Sequence, residues 1–275
     1  MLADSSTRLS EARRLTRRSR RDQAREFLAE GPQAVREAMR TPGVVVEVFG
    51  MPSALDLHGD WLAEAPVTLV PITGKSAAAL SETVHPQGLI ARCRYVDVPV
   101  SQAIDRSARL VAVLAGIADP GNAGTILRTA DAAGADAVIF TEGSVDPYNG
   151  KCVRASAGSV FHLPIVRAAA YPEVRESLKR AGLQLLGAHA SGARSLGELD
   201  AENLLRAPSA WVFGSEAHGL AVIETEAGGE PGKSVEVVDE YVSIPIWGRA
   251  ESLNLAAAAA ICLYASATAQ RHPRS

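Results

Sequence analysis

From residue 110 onward, short apolar runs alternate with stretches that have the periodicity of helices. Apolar runs of this length are typical of strands that a parallel sheet buries on both faces. Repetition of strand and helix predicts a doubly wound, mostly parallel α/β sheet covered by helices on both sides. The predicted strands are LVAVLAGI, DAVIF, LQLLGAHA, AWVFG and YVSIPI, and the predicted helices include residues 123–133, 171–181 and 253–269.

A smaller α/β domain is predicted before this one. Residues 22–40 carry apolar side chains at helical spacing, interrupted at Gly31 and Pro32, and they predict two short helical pieces. Runs rich in β-branched residues at 44–50, 67–72 and 88–96 predict strands, with helices before Trp61 and at 75–80. We therefore expect a basic arm at 1–21, a first domain at 22–97, a polar linker at 98–109 and a second domain at 110–275.

The overall composition is that of a folded globular protein. The 275 residues are 47% hydrophobic and 21% charged, and no apolar run approaches the roughly 18 to 20 residues that cross a bilayer. The N-terminus is rich in arginine and has no apolar signal region, so we expect a cytoplasmic protein. Cys93, Cys152 and Cys262 are far apart without a CxxC pair, which predicts neither a disulfide framework nor a metal site.

Positive charge is concentrated near the N-terminus. Residues 8–25 carry eight arginines against Glu11 and Asp22, a net charge of +6, although the whole chain has a net charge of −3. Such a cluster is a candidate for contacts with the phosphates of RNA, and the alternative is a basic but merely solvated helical face. The candidate RNA-binding side chains are Arg13, Arg14, Arg17, Arg18, Arg20 and Arg21, together with Lys151 and Arg154 further along the chain.

Doubly wound sheets bind their ligands beyond the carboxyl ends of the strands, and four loops there are unusual. In the first, Asn122 is predicted to cap a helix that carries Arg128 two turns further on. Taken alone, Asn122 fits plain capping and Arg128 fits a surface arginine that snorkels from the helix edge. The loop lacks the Gly-Lys-Ser/Thr of a P-loop, and GxGxxG occurs nowhere in the chain.

The other three loops combine small and polar residues. KCVRASAG places Lys151 and Arg154 among small side chains, a pattern that fits a phosphate contact and equally a packed helix with two surface charges. GSEAHGL presents Glu216 directly after a buried strand. IPIWGRAESLN ends at an alanine-rich helix, for which we expect Ser252 to be the N-cap, with Asn254 beside it.

Three of these patterns, taken in order, carry a family resemblance. NxxxxxR, GSExxGL and IPIxxxxESLN resemble the three signature motifs of the SpoU/TrmH branch of the SPOUT superfamily. The resemblance covers residues 110–270. FLAEGPQAVREAM and the strands after it look like the substrate-binding domain of many such enzymes, which is related in fold to kink-turn-binding ribosomal proteins. One departure is Ile246 where methionine is common, a conservative apolar exchange.

The resemblance implies an S-adenosylmethionine-dependent RNA ribose 2'-O-methyltransferase. It further implies a C-terminal trefoil knot and a homodimer built at that knot. The carried-over catalytic residues are Arg128, Asn122, Glu216, Ser252 and Asn254. The carried-over cofactor-binding residues are Ala188, His189, Ala190, Gly214, Glu216, Ile244, Pro245, Ile246, Ser252, Leu253 and Asn254.

The substrate and the role of Arg128 are less closely defined. An arginine base is physically awkward, because a guanidinium does not give up its proton in proteins, so we interpret Arg128 as a clamp on phosphate or ribose. The N-terminal domain favours large-subunit ribosomal RNA as the substrate. The alternatives are transfer RNA as the substrate, or an RNA-binding protein without catalytic activity. The nucleotide, its base and the choice between housekeeping and antibiotic resistance stay open.

Overall fold

The chain forms two compact units, each of which consists of two separate stretches of sequence. The computed structural model describes residues 6–64, 66–83, 86–215, 219–220 and 237–271. Unit 1 comprises Met1–Val96 and Asp146–His162, and unit 2 comprises Asp97–Val145 and Leu163–Ser275.

The described helices and strands alternate along the chain. The strands are β1 (Glu26–Glu30), β2 (Val45–Gly50), β3 (Thr68–Pro71), β4 (Leu89–Arg94), β5 (Leu110–Leu114), β6 (Ala137–Thr141), β7 (Ile165–Ala169), β8 (Gln184–Ala188), β9 (Arg194–Ser195), β10 (Ser209–Phe213) and β11 (Glu240–Ser243). The helices are α1 (Thr7–Arg14), α2 (Arg18–Ala24), α3 (Pro32–Arg40), α4 (Pro52–Leu57), α5 (Gly59–Leu62), α6 (Gly74–Leu80), α7 (Val100–Ala103), α8 (Pro120–Ala133), α9 (Gly150–Ser156), α10 (Tyr171–Ala181), α11 (Leu196–Ala201) and α12 (Leu255–Arg271), with short 3₁₀ turns at Ser159–Phe161 and Leu204–Arg206.

Unit 1 is built on a sheet with the order β1-β4-β2-β3. Strand β4 pairs antiparallel with both β1 and β2, and β3 adds in parallel to β2. The predicted strands at 44–50, 67–72 and 88–96 are confirmed, as are the helices at 52–62 and 74–80. The prediction of two helical pieces over 22–40 is wrong for residues 26–30, which form β1. Tertiary pairing along β4 overrides the local helical spacing there, because it lets Phe27 enter the core.

Residues 146–162 pack into unit 1, whereas the sequence pattern assigns them to the second domain. Tyr148 is fully buried, its ring stacks on that of Tyr95 at a centroid distance of 3.9 Å, and its hydroxyl accepts a hydrogen bond from the backbone N–H of Val96 at 2.8 Å. The guanidinium of Arg21 meets the carboxylate of Asp146 at 2.7 Å. These contacts make the segment a structural part of unit 1, distant in sequence from the rest of it.

Unit 2 is built on a parallel sheet of seven strands with the order β7-β6-β5-β10-β8-β11-β9. Alternate residues of β5 and β10 face opposite sides, as the period of two requires. Val111 and Val212 join a core with α7 and α10, whereas Trp211 donates a hydrogen bond from Nε1 to Ser266 Oγ on α12 at 2.8 Å. The predicted α/β class with a parallel sheet is confirmed. The sequence pattern did not predict β7 and β9.

The residues expected to form a linker belong to unit 2. Val100 and Ile104 are buried in its core, on and directly after α7. The sequence alone predicts a loop there, because the few apolar side chains are interspersed with polar ones. Among the described residues, no helix is long and apolar enough to cross a membrane.

Candidate active site

A pocket of about 390 Å³ lies at the carboxyl edge of the parallel sheet in unit 2. Its walls come from the segments that follow β8 and β11 and from the first turns of α12. This volume lies in the range of small-molecule and cofactor sites, and most of the lining is apolar. The lining residues are Ala188, His189, Ala190, Val242, Ile244, Ile246, Ser252, Leu253, Asn254, Leu255 and Ala258.

Most of the residues predicted to bind the cofactor meet in this pocket. The exceptions are Pro245 and Gly214, which are not among its lining residues, and Glu216, which lies outside the described residues. Val242, Leu255 and Ala258 line the pocket and were not predicted. The sequence holds a signal for Ala258, because it follows Asn254 by four residues and so lies on the same face of α12.

Asn254 caps α12. Its Oδ1 accepts hydrogen bonds from the backbone N–H groups of Ala256 at 2.9 Å and Ala257 at 3.3 Å, which is the usual geometry of an N-cap side chain. The prediction that Ser252 caps this helix is therefore wrong, because α12 begins only at Leu255. Ser252 instead lines the pocket as an exposed residue before the helix.

Asn254 also joins α12 to α8. Its Nδ2 donates a hydrogen bond to Asn122 Oδ1 at 3.1 Å, although the two residues are 132 positions apart in sequence. The predicted capping role of Asn122 is wrong, because Asp119 is the N-cap of α8 and accepts from the backbone N–H of Asn122 at 2.8 Å. The side-chain oxygen of Asn122 therefore contacts Asn254, which lines the pocket.

The wall between β8 and β11 is fixed by close backbone contacts. The backbone N–H of His189 donates to the carbonyl of Val242 at 3.0 Å, and the imidazole Nδ1 lies 3.0 Å from Ser191 Oγ. A Cβ on Gly192 would approach the backbone nitrogen of Ser243 to 2.6 Å, so only glycine allows the loop to run this close to β11. The loop after β8 is therefore held against the end of β11.

Ser215, the second residue after β10, pairs with Gly219. Ser215 and Gly219 exchange two backbone hydrogen bonds of 2.9 Å, and a Cβ on Gly214 would collide with the carbonyl oxygen of Gly219. Glu216 and His218 lie outside the described residues. Gly214 therefore has a steric reason to be glycine that does not depend on any ligand.

Arg128 lies on the exposed side of α8, two turns into the helix. Its neighbours Ile126 and Leu127 are buried, so the helix edge presents the guanidinium to solvent. The chemistry open to this side chain is bidentate hydrogen bonding to an anionic or polyhydroxylated ligand.

The predicted RNA-binding side chains all lie in unit 1. Five of the arginines are exposed, on or between α1 and α2, namely Arg13, Arg14, Arg17, Arg18 and Arg20. Arg21 is only 3% exposed and donates both Nε and Nη2 to Asp146, so it does not belong to the set. Lys151 is exposed, whereas Arg154 meets the carboxylate of Glu30 at 3.0 Å and that of Glu82 at 3.8 Å.

Comparison with known proteins places this site in a family. The model of the SpoU rRNA Methylase family matches residues 109–264, and that of the MRM3-like substrate binding domain matches residues 7–91. The chain belongs to the SpoU rRNA methylase family. This confirms the resemblance found in the sequence, and the matched region contains both asparagines and the whole pocket.

Several relatives of this SpoU-family protein have a known role or structure. The 23S rRNA (guanosine(2553)-2'-O)-methyltransferase RlmP of Bacillus subtilis is 32% identical over 92% of each chain. An RNA 2'-O ribose methyltransferase of known crystal structure is 31% identical over 98% of each chain, with a TM-score of 0.78. The SpoU methyltransferase AviRb of Streptomyces viridochromogenes, in complex with the cofactor AdoMet, is 26% identical over 95% of this chain and 97% of its own, with a TM-score of 0.81.

The extent of the family match can be compared with the boundaries of the two units. Residues 146–162 lie inside the matched SpoU region but fold with the substrate-binding domain of unit 1. The methylase region of this SpoU-family protein therefore contributes a buried segment to the other unit. Among the described residues, no cluster of histidine, cysteine, aspartate or glutamate could hold a metal ion.

Proposed function

We propose that this SpoU-family protein transfers a methyl group from S-adenosylmethionine to a ribose 2'-hydroxyl of large-subunit ribosomal RNA. The observation that carries the proposal is the pocket beside the Asn122–Asn254 pair, built from the family's motifs at the carboxyl edge of the sheet. Its apolar walls suit the purine and ribose faces of the cofactor, and the exposed backbone and side-chain polar groups at its rim suit the polar ends. We infer that Ala188 to Ala190, Ile244 to Ile246 and Ser252 to Asn254 hold the cofactor.

The cofactor supplies a methyl group that is already activated on a sulfonium, so no covalent enzyme intermediate is needed. The task of the chain is to bring the 2'-hydroxyl into line with that carbon and to favour loss of its proton. The amide pair of Asn122 and Asn254 is held in place, because Asn254 Oδ1 caps α12 while its Nδ2 donates to Asn122 Oδ1 on the first turn of α8. A polar pair held in this way at the pocket edge can orient the attacking hydroxyl. Arg128, on the same helix as Asn122, is inferred to clamp the RNA.

A steric test of the cofactor site uses Ala258. We expect Ala258→Leu to weaken S-adenosylmethionine binding by at least about tenfold, because the added side chain fills part of the pocket. The matched control is Ala269→Leu, the same exchange three turns further along α12, where no residue of the cofactor pocket lies. Isothermal titration compares the two, and equal affinities would place the cofactor elsewhere.

The guanidinium of Arg128 has a separate test. We expect Arg128→Lys to keep S-adenosylmethionine binding and to lower kcat by about tenfold, because lysine keeps the charge but loses the two-pronged hydrogen bond. Arg180→Lys, at an exposed arginine of unit 2 that pairs with Glu176, is the control. Full turnover in Arg128→Lys would show that a charge suffices.

RNA binding is assigned to the exposed arginines of α1 and α2. We expect the triple variant Arg13→Gln, Arg14→Gln, Arg17→Gln to bind RNA more weakly and to lower the slope of log K against log salt by about two to three, roughly one per lost phosphate contact. Filter binding at several salt concentrations measures this. Arg180→Gln is the control. An unchanged slope in the triple variant would mean that these arginines form a solvated helical face and do not bind RNA phosphates.

A homodimer through α12 and a trefoil knot at the pocket complete the proposal. Ile261 and Tyr264 are 40% and 49% exposed on α12 and extend an apolar stripe that unit 2 itself leaves uncovered. Such a stripe on a helix favours a second copy as its partner. We place the protein in the cytoplasm, where its RNA substrate is made.

The reaction is tested with tritiated S-adenosylmethionine and unmodified RNA. We expect label on one ribose of large-subunit RNA, located by mapping the modified position. Cofactor binding with label only on transfer RNA would favour the tRNA alternative. RNA binding without cofactor binding would overturn the proposed methyltransferase activity and favour the alternative of an RNA-binding protein without catalytic activity.

A further inference from the structure

Trp247 is almost completely exposed to solvent. Its relative exposure is 94%, the highest among the large hydrophobic residues that the structure describes, followed by Leu57 at 77%. In the same unit, Trp211 is fully buried and its indole N–H is hydrogen-bonded. A large apolar ring in water is an exception for a tryptophan, because this side chain is highly buried on average.

The position of Trp247 links it to the pocket. Ile246, the residue before it, lines the pocket, and the chain returns to the pocket wall at Ser252 after a short exposed loop. At 94% exposure, the ring is left almost uncovered by the described part of the chain. The indole therefore belongs to the residue directly after a pocket-lining residue and is open to solvent.

The surroundings of the ring are polar. Gly248, Arg249 and Glu251 are exposed on the same loop, so Trp247 is a single aromatic ring among polar neighbours. A surface that docks a second protein copy normally joins several apolar side chains into one patch. A single exposed ring on a loop that also carries an arginine instead fits a surface that stacks a nucleobase.

We propose that Trp247 is the stacking platform for the base of the nucleotide that receives the methyl group. The inference rests on the proposed function. A ribose that enters a pocket must leave its place in the RNA stack, and an exposed flat ring next to a pocket-lining residue replaces part of the lost stacking. Because every base has a π face, the ring fixes the position of the nucleotide and leaves its identity to other contacts.

Three substitutions separate stacking from a general apolar contact. We expect Trp247→Ala and Trp247→Leu to raise the KM for RNA by about ten- to a hundredfold, the effect of losing one stacked base. Trp247→Phe keeps a flat ring and is expected to stay within a few-fold of the unchanged protein. The affinity for S-adenosylmethionine is expected to be equal in all four, and RNA is expected to quench tryptophan fluorescence less in Trp247→Phe.

The outcomes distinguish this inference from the proposed function. If the unchanged protein binds S-adenosylmethionine but methylates no RNA, the proposed function fails first. If it methylates RNA and Trp247→Leu has the same KM, the stacking role is overturned. A KM that rises together with dissociation of a dimer, measured by sedimentation, would also overturn it, because the ring would then belong to a protein interface.

Discussion

Replacing Asp146 by alanine is expected to destabilise unit 1 by about 3–5 kcal/mol. The carboxylate is buried and accepts from Arg21 Nε at 3.0 Å and Nη2 at 2.7 Å, so its removal leaves a guanidinium without a counter-charge inside the protein. The remaining donor of Arg21, Nη1, binds the carbonyls of Leu15 and Thr16 at 3.1 Å. The turn between α1 and α2 therefore depends on the same ion pair. Urea unfolding measures the loss, and hydrogen exchange locates it in unit 1.

The matched control for this variant is Asp22→Ala. Asp22 forms an exposed pair with Arg18 at 3.9 Å and accepts an exposed hydrogen bond from the Tyr95 hydroxyl at 3.2 Å, and such contacts contribute about 1 kcal/mol or less each. A double variant, Arg21→Met with Asp146→Leu, is expected to recover much of the stability, because it removes both buried charges together. If Asp146→Ala unfolds at the same urea concentration as Asp22→Ala, the buried pair does not hold residues 146–162 in unit 1.

The sequence predicted five of the seven strands of the unit 2 sheet, because their apolar runs reflect burial on both faces, and it missed β7 and β9. It failed where a long-range contact decides the structure. The apolar side chains of residues 26–30 have helical spacing, yet these residues pair with β4 and form an edge strand. Residues 146–162 lie in the methylase region of the sequence, but their aromatic and charged side chains contact unit 1. Tyr148 packs against Phe27 at a centroid distance of 4.5 Å, and a contact between residues so far apart in sequence leaves no local pattern.

The site shows the same division. The motif residues of the pocket could be named because their motifs resemble those of the SpoU/TrmH branch, and they meet because strand ends and helix starts converge at one edge of a parallel sheet. The exact helix starts could not. Asn122 and Ser252 each look like an N-cap, but Asp119 and Asn254 occupy those positions. That difference changes the chemistry, because the Asn122 amide oxygen accepts from Asn254 across the two helices.

Asn254→Asp is expected to lower kcat by about a hundred- to a thousandfold, the effect of removing one positioned donor from an active site. The aspartate has the same shape and still caps α12, where a negative charge is favoured, so the free energy of unfolding is expected to change by less than about 1 kcal/mol. It cannot donate, however, and it sets a carboxylate oxygen against Asn122 Oδ1, the acceptor that Nδ2 now reaches at 3.1 Å. Single-turnover methyl transfer at saturating cofactor and RNA measures the effect.

Asn149→Asp is the matched control, since Asn149 caps α9 in unit 1 through the same kind of hydrogen bond, to the backbone N–H of Lys151 at 2.9 Å. It is expected to leave turnover unchanged. Both exchanges replace an N-cap asparagine by aspartate, so any difference between them comes from the amide donor and not from capping. Equal turnover in the two variants would mean that the Asn122–Asn254 bridge serves only to dock α12 on α8, and the attacking hydroxyl would have to be oriented by Arg128 or Ser252 alone.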